Sequence, residues 1–313
     1  MALSATPSTA TFEHKRIGMA SMALAMALLP VGDAISKSLT TVLAPFEVTL
    51  LRSLAQAAFF LPVAWVMRRH LAGPILSGAS LISAGLIVTV LYSLITAFEV
   101  MPIATAISIF FVEPLLLTLL AGPFLGEVPG PRRFAAVGVG LVGALIVIRP
   151  NFAVFGPVAL LPLLAALCYA LNMIVLRKAR GGQSPLSFQF GATLCAAGLL
   201  LFIEIIRHLS GLDPDLPSLP GWTGYAVLAA GALSTVTFLM ITFAFSRVEA
   251  SLLAPFQYLE IVGATVLGFL VFGDIPDALT FLGTGIILAS GIYVFHRERV
   301  QDGPDEKEFR ARS

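Results

Sequence analysis

Residues 126–148, GEVPGPRRFAAVGVGLVGALIVI, and residues 273–295, GDIPDALTFLGTGIILASGIYVF, decide how this chain is read, because the second restates the first without a gap. Gly126 falls on Gly273, Pro129 on Pro276, Phe134 on Phe281, Gly138 on Gly285, Leu141 on Leu288 and Val147 on Val294, a shift of 147 residues. Carried back into the preceding apolar run, the same shift sets Glu113 on Glu260. Two carboxylates thus hold matching places inside segments that otherwise belong in lipid. A duplicated membrane unit is the pattern of a transporter.

The rest of the chain fits a bilayer. Of its 313 residues 58% are hydrophobic and 12% charged, too apolar for a soluble domain of this size. A hydrocarbon layer about 30 Å thick needs roughly 20 apolar helical residues. Such windows recur near 17–37, 47–67, 75–98, 102–122, 134–148, 157–176, 187–207, 223–245, 250–272 and 278–295, which predicts an all-α integral membrane protein of about ten spans. The first window follows Glu13-His14-Lys15-Arg16 and lacks a small-residue cleavage site, so it reads as a retained span. The net charge of +1 gives no nucleic-acid surface, and Cys168 and Cys195 lie in apolar runs without metal-ligand spacing. No cofactor is expected.

Cytoplasmic loops retain Lys and Arg. With the N-terminus inside, all of the nineteen basic residues except Lys37, Arg52, Arg149 and Arg207 fall on the cytoplasmic side, and the longest outer loop, 208–221, carries Asp213 and Asp215. Both termini are then cytoplasmic. Five spans per copy is an odd number, so the second copy enters from the opposite face and the repeats are inverted. The expected units are 14–150 and 151–298, flanked by a disordered tail at 1–13 and a charged cytoplasmic tail at 299–313. At the front of the copies a shift of 139 sets Asp33 on Asn172, and a shift of 140 sets Pro45-Phe46 on Pro185-Leu186.

Glu113 lies about eleven residues past Pro102, so at 1.5 Å per residue it sits roughly 16 Å deep, near the midplane. Glu260 reaches a similar depth from the other side. Ionisable groups there are costly and face a cavity or a partner, and such a group is suited to carrying a proton. The alternative is a helix-packing hydrogen bond. Pro114 frees a carbonyl one turn back and predicts a kink with no counterpart at Ile261. Pro255, Gln257 and Tyr258 form a polar break in the ninth span, and Gln257 shares a face with Glu260. Tyr92 and Asn172 complete the candidate path, and Phe98, Phe110 and Phe111 could line it. Asp33, Lys37 and Arg52 could meet near one mouth as a gate, or Lys37 could snorkel while Asp33 neutralises Arg52 structurally. Glu204 and Arg207 read as an interfacial pair. The glycines of the fifth and tenth spans suit close helix contact.

Walker A, HExxH and GxSxG signatures are all missing from the sequence, so an enzyme is not expected. The LGExP segment at 125–129, its echo FGDxP at 272–276 and the form of the fourth span resemble the EamA repeats of the drug/metabolite transporter superfamily. That resemblance covers about 17–296 and implies two inverted five-helix repeats around a central cavity with alternating access. The segment GDAISKSL at 32–39 is similar to a branch containing carriers of riboflavin and of S-adenosylmethionine. The expected function is secondary transport of a small polar organic metabolite (riboflavin-like, S-adenosylmethionine-like or amino-acid-like) across a bacterial inner membrane, with proton coupling as one mechanism. The expected partners are that small molecule and the lipid bilayer, with oligomeric state open. A channel, or a structural subunit of another transport system, is the alternative.

Overall fold

The computed structural model describes residues 9–126, 130–179, 182–211, 220–248 and 250–310, and the regular structure among them is helical. The first copy consists of α1 (Thr9–Leu39), α2 (Pro45–Val66), α3 (Gly78–Val100), a divided fourth span α4 (Ile103–Phe110) and α5 (Glu113–Leu125), and α6 (Pro131–Phe155). The second consists of α7 (Leu161–Ala179), α8 (Pro185–Leu209), α9 (Trp222–Arg247), the divided span α10 (Ala250–Gln257) and α11 (Leu259–Phe272), and α12 (Ala278–Arg310). Among the described residues eight stretches are long and apolar enough to cross a bilayer. One of them, Phe134–Ala179, has 46 residues, about twice the necessary length. Gly156 breaks it at φ 64°, so it supplies both α6 and α7. With the shorter apolar helix Ala278–Val294 the count reaches ten.

Several boundaries differ from expectation. The fifth span does not stop before Arg149-Pro150, because Pro150 lies inside α6. Helix also extends into both expected tails, from Thr9 at one end and to Arg310 at the other. A polar segment continuous with a long helix bears no new nucleation cost, which composition alone does not register. Residues 1–8 and 311–313 lie outside the described part, as do 212–219 of the acidic loop and Glu127–Pro129 of the first LGExP motif.

The duplication is visible in the backbone and in the packing. Gly126 and Gly273 cap α5 and α11 at φ 74° and 72°, each donating its N–H to the carbonyl four residues back. The first span of each copy packs on the third span of the other, α1 on α9 and α7 on α3. In the same way α2 meets α9 while α8 meets α3, and α1 meets α11 while α7 meets α5. The two fifth spans, α6 and α12, pack on each other. The copies therefore interleave, and neither would bury its apolar faces alone.

The α6–α12 seam is as close as its glycines suggest. A Cβ at Gly143 would stand 2.9 Å from the carbonyl oxygen of Gly283, and one at Gly283 would stand 2.6 Å from that of Gly143. Backbone cannot yield as a side chain can. Gly283→Val is expected to destabilise the fold by about 1–3 kcal/mol, the usual cost of overpacking. Thermal unfolding in detergent checks this, and an unchanged midpoint would contradict the seam.

Candidate functional site

Both fourth spans are interrupted at the same repeat position. In the first, Phe111 and Val112 separate α4 from α5, and Val112 N–H donates to the Ile109 carbonyl at 3.1 Å, a tightened turn. Pro114, lacking an N–H, follows at once. In the second, Tyr258 alone separates α10 from α11. The expected asymmetry of the kink is therefore corrected: Ile261 has no proline's effect, yet the second copy is interrupted anyway, with Pro255 on the other side of the break. The 147-residue shift that relates Phe111 to Tyr258 also relates Glu113 to Glu260.

Each glutamate occupies the first turn of its half-helix, α5 or α11, where the dipole presents its positive end. Both are half-buried with protein around them, so they border an internal space rather than a sealed core. Tyr169 of α7 lies within reach of the charges of both carboxylates, and Tyr258 within reach of that of Glu113. The structure therefore brings Glu113 and Glu260 to one region, from opposite copies. Among the described residues neither carboxylate has a hydrogen-bond partner.

The other candidates divide. Gln257 and Tyr258 flank the second break and are half-buried there. Asn172 is buried in α7 and accepts a 2.6 Å hydrogen bond from the Ser83 hydroxyl of α3, which fixes the packing of these two helices. Tyr92 is 44% exposed, in the middle of an outward stripe of α3 with Leu81 and Glu99, and makes no ring contact with the central residues. Phe98 is fully buried in the core around the fourth span, not lining an open space.

Asp33, Lys37 and Arg52 do not form one cluster. Arg52 Nη1 stands 4.0 Å from Asp33 Oδ1 and donates to Ser36 Oγ at 2.8 Å, while Nε donates to Ser234 Oγ at 3.2 Å. This group ties α1, α2 and α9 together inside the protein. Lys37 turns elsewhere: its ammonium donates to Asp274 Oδ2 at 2.6 Å and to the Met101 carbonyl at 3.1 Å, and sits 4.9 Å above the Phe272 ring. Asp274 is the acidic residue of FGDxP, so this motif anchors the end of α11 to the end of α1. Across the copies in the opposite sense, Lys178 of α7 lies 5.8 Å over the Phe124 ring of α5, near but not at the repeat counterparts of Lys37 and Phe272. At the same end as Lys37, Arg207 binds Glu204 at 3.1 Å as expected, and also Glu47 of α2 at 3.0 Å.

Tyr169 at the centre and Asp274 at the end of α11 are the residues that sequence reading did not select. The FGDxP echo marked Asp274 as a repeat feature, which was its one available signal. Nothing in AALCYALN distinguishes Tyr169 from a packing aromatic.

Ten spans in two inverted, interleaved repeats, with paired interrupted helices at the centre, define a multi-pass membrane protein of the transporter class. The model of the EamA-like transporter family matches residues 16–149 and 156–295, one match per copy, and the chain belongs to that family. It is 27% identical over 283 residues to an S-adenosylmethionine uptake transporter of Rickettsia bellii, covering 90% of this chain and 94% of that protein. It is 29% identical over 197 residues to a riboflavin transporter of Rhizobium johnstonii. That match spans 63% of each chain, less than two thirds of the relative's length. A solved crystal structure covering 90% of this chain and 95% of its own superimposes with a TM-score of 0.59 at 19% identity, which shows the shared fold. As a member of that family the chain is a transporter and not an enzyme.

Proposed function

We propose that the chain is a secondary carrier that moves a small polar organic metabolite across the inner membrane by alternating access, with Glu113 and Glu260 as two half-sites of one path. The reading is carried by the paired interruption of the fourth spans, each presenting a carboxylate to the surroundings of Tyr169. Interrupted helices at corresponding places in inverted halves are where carriers bind substrate and coupling ion. Carboxylates without a fixed hydrogen-bond partner are suited to exchanging a proton for substrate. The distribution of Lys and Arg supports cytoplasmic termini, and in that orientation Lys37 and Asp274 serve as a gate at the outer mouth. The names of the relatives make riboflavin and S-adenosylmethionine the first compounds to test, with amino acids beside them.

Proteoliposomes holding the purified protein are expected to take up substrate saturably, with counterflow, and faster under a pH gradient. Glu113→Gln is expected to lose the response to the gradient, lowering the initial rate roughly tenfold, about 1.4 kcal/mol, while exchange of substrate for substrate persists. Uptake indifferent to the gradient in both proteins would remove the proton role. Linear, unsaturable flux would favour a channel.

A further inference from the structure

Four aromatic rings meet where the two fourth spans break. Phe111 and Tyr258, the same position in the two copies, have ring centroids 5.6 Å apart and planes at 42°. Phe110 stands edge-on to Tyr169 at 5.6 Å and 69°, and to Phe111 at 6.5 Å and 85°. These are favourable aromatic geometries, and a packed core would seal all four. It does not. Phe111 is buried, whereas Phe110, Tyr169 and Tyr258 remain half-buried, unlike the large aromatics Phe60, Phe98 and Phe188, which are closed off completely.

Tyr258 is informative in its details. Its hydroxyl is buried without a hydrogen-bond partner among the described residues, and a Cβ at Gly291 of α12 would run into it. What Tyr258 leaves accessible is therefore its carbon surface, not its polar tip. The central space thus presents aromatic carbon from three residues, beside the charges of Glu113 and Glu260, on which Arg177 and Asp33 act in turn. Ionised carboxylates only accept hydrogen bonds, so they favour a ligand edge that carries N–H groups. Aromatic faces favour a flat ligand, because every heterocycle has a π-face to stack.

Resting on the carrier reading, we infer that Phe110, Tyr169 and Tyr258 form a stacking surface for a planar nitrogen heterocycle in the substrate, one ring meeting its face and the others its edges, whose ring N–H or amino protons are received by Glu113 and Glu260. The ring is then the recognised part, and the flexible polar remainder of the substrate is secondary.

The test uses the full chain in nanodiscs and isothermal titration with riboflavin, S-adenosylmethionine and adenosine. Ribitol and methionine serve as ring-free counterparts. At least one ring-bearing probe is expected to bind saturably, while ribitol and methionine do not. Tyr169→Leu and Phe110→Leu are each expected to weaken that binding about tenfold or more, and Tyr169→Phe to keep it within about threefold. Melting temperatures taken alongside separate lost binding from lost folding, and the two Leu variants are independent of each other. Equal binding of the ring-free solutes, no binding by any ring probe, or affinities within twofold of wild type in both Leu variants would overturn the stacking surface. Saturable counterflow of an amino acid that survives Tyr169→Leu would overturn it while leaving the carrier intact. Linear flux of every probe would instead remove the carrier reading itself.

Discussion

Arg52→Ala is expected to cost about 3–5 kcal/mol of stability, the range found when one partner of a buried ion pair is removed. Arg52 and Asp33 are only 7% and 9% exposed, and the guanidinium holds three helices through Ser36, Ser234 and the Asp33 carboxylate. Truncation strands Asp33 in the protein interior without its cation and leaves two hydroxyls short of a donor. The 4.0 Å separation from Asp33 makes the pair itself a modest attraction, so the loss comes from the stranded charge. A paired replacement tests that explanation. Asp33→Leu with Arg52→Met removes both charges at similar volume and is expected to recover most of the stability lost by Arg52→Ala. Unfolding in mixed micelles measures both. A single-variant loss below about 1 kcal/mol, or a double variant no better than the single, would contradict the account.

The second large effect concerns Lys37. Its ammonium joins the end of α1, the α3–α4 link and the α11–α12 link, so one side chain spans the two copies. Hydrogen bonds to charged groups contribute about 1.5–3 kcal/mol, and a difference of that size shifts a two-state equilibrium by roughly ten- to a hundredfold. Lys37→Met and Asp274→Asn are each expected to open this end of the bundle, read as greater spin-label separation between Thr41 and Ile275, and to reduce uptake about tenfold or more. Exchanging the charges, Lys37→Asp with Asp274→Lys, is expected to restore part of both. Label distances and uptake unchanged in the single variants would show that the tie does not govern this end.

The sequence carried the architecture well because it is written in repetition and apolar length. The shift of 147 residues that aligns two glycines in the text also aligns two αL caps at φ 74° and 72°. It carried the interruption of the first fourth span, since Pro114 has a local mechanical effect, and it marked the place of the second through the polar break at Pro255, Gln257 and Tyr258. Asp33 with Arg52 was legible because α1 and α2 are consecutive. Lys37 with Asp274 was not, because 237 residues separate them and only the interleaving of the copies brings them together. Tyr92 and Tyr169 show the same limit in reverse. Both are tyrosines in apolar helices, and one is exposed while the other lies within reach of the charges of two carboxylates.

The meeting of Phe111 with Tyr258 has a consequence for the energy of the molecule. These residues hold the same place in the two copies and touch one another, so any axis that exchanges the copies passes between them. Were the copies identical, a half-turn about that axis would return the same object, and any form and its exchanged counterpart would be equal in energy. A phenyl on one side of the axis and a phenol on the other removes that equality, as do Asp33 against Asn172 and the unequal grip of Lys37 and Lys178 on their rings. In a carrier built this way, the form lower in energy is decided by the places where the second copy departs from the first.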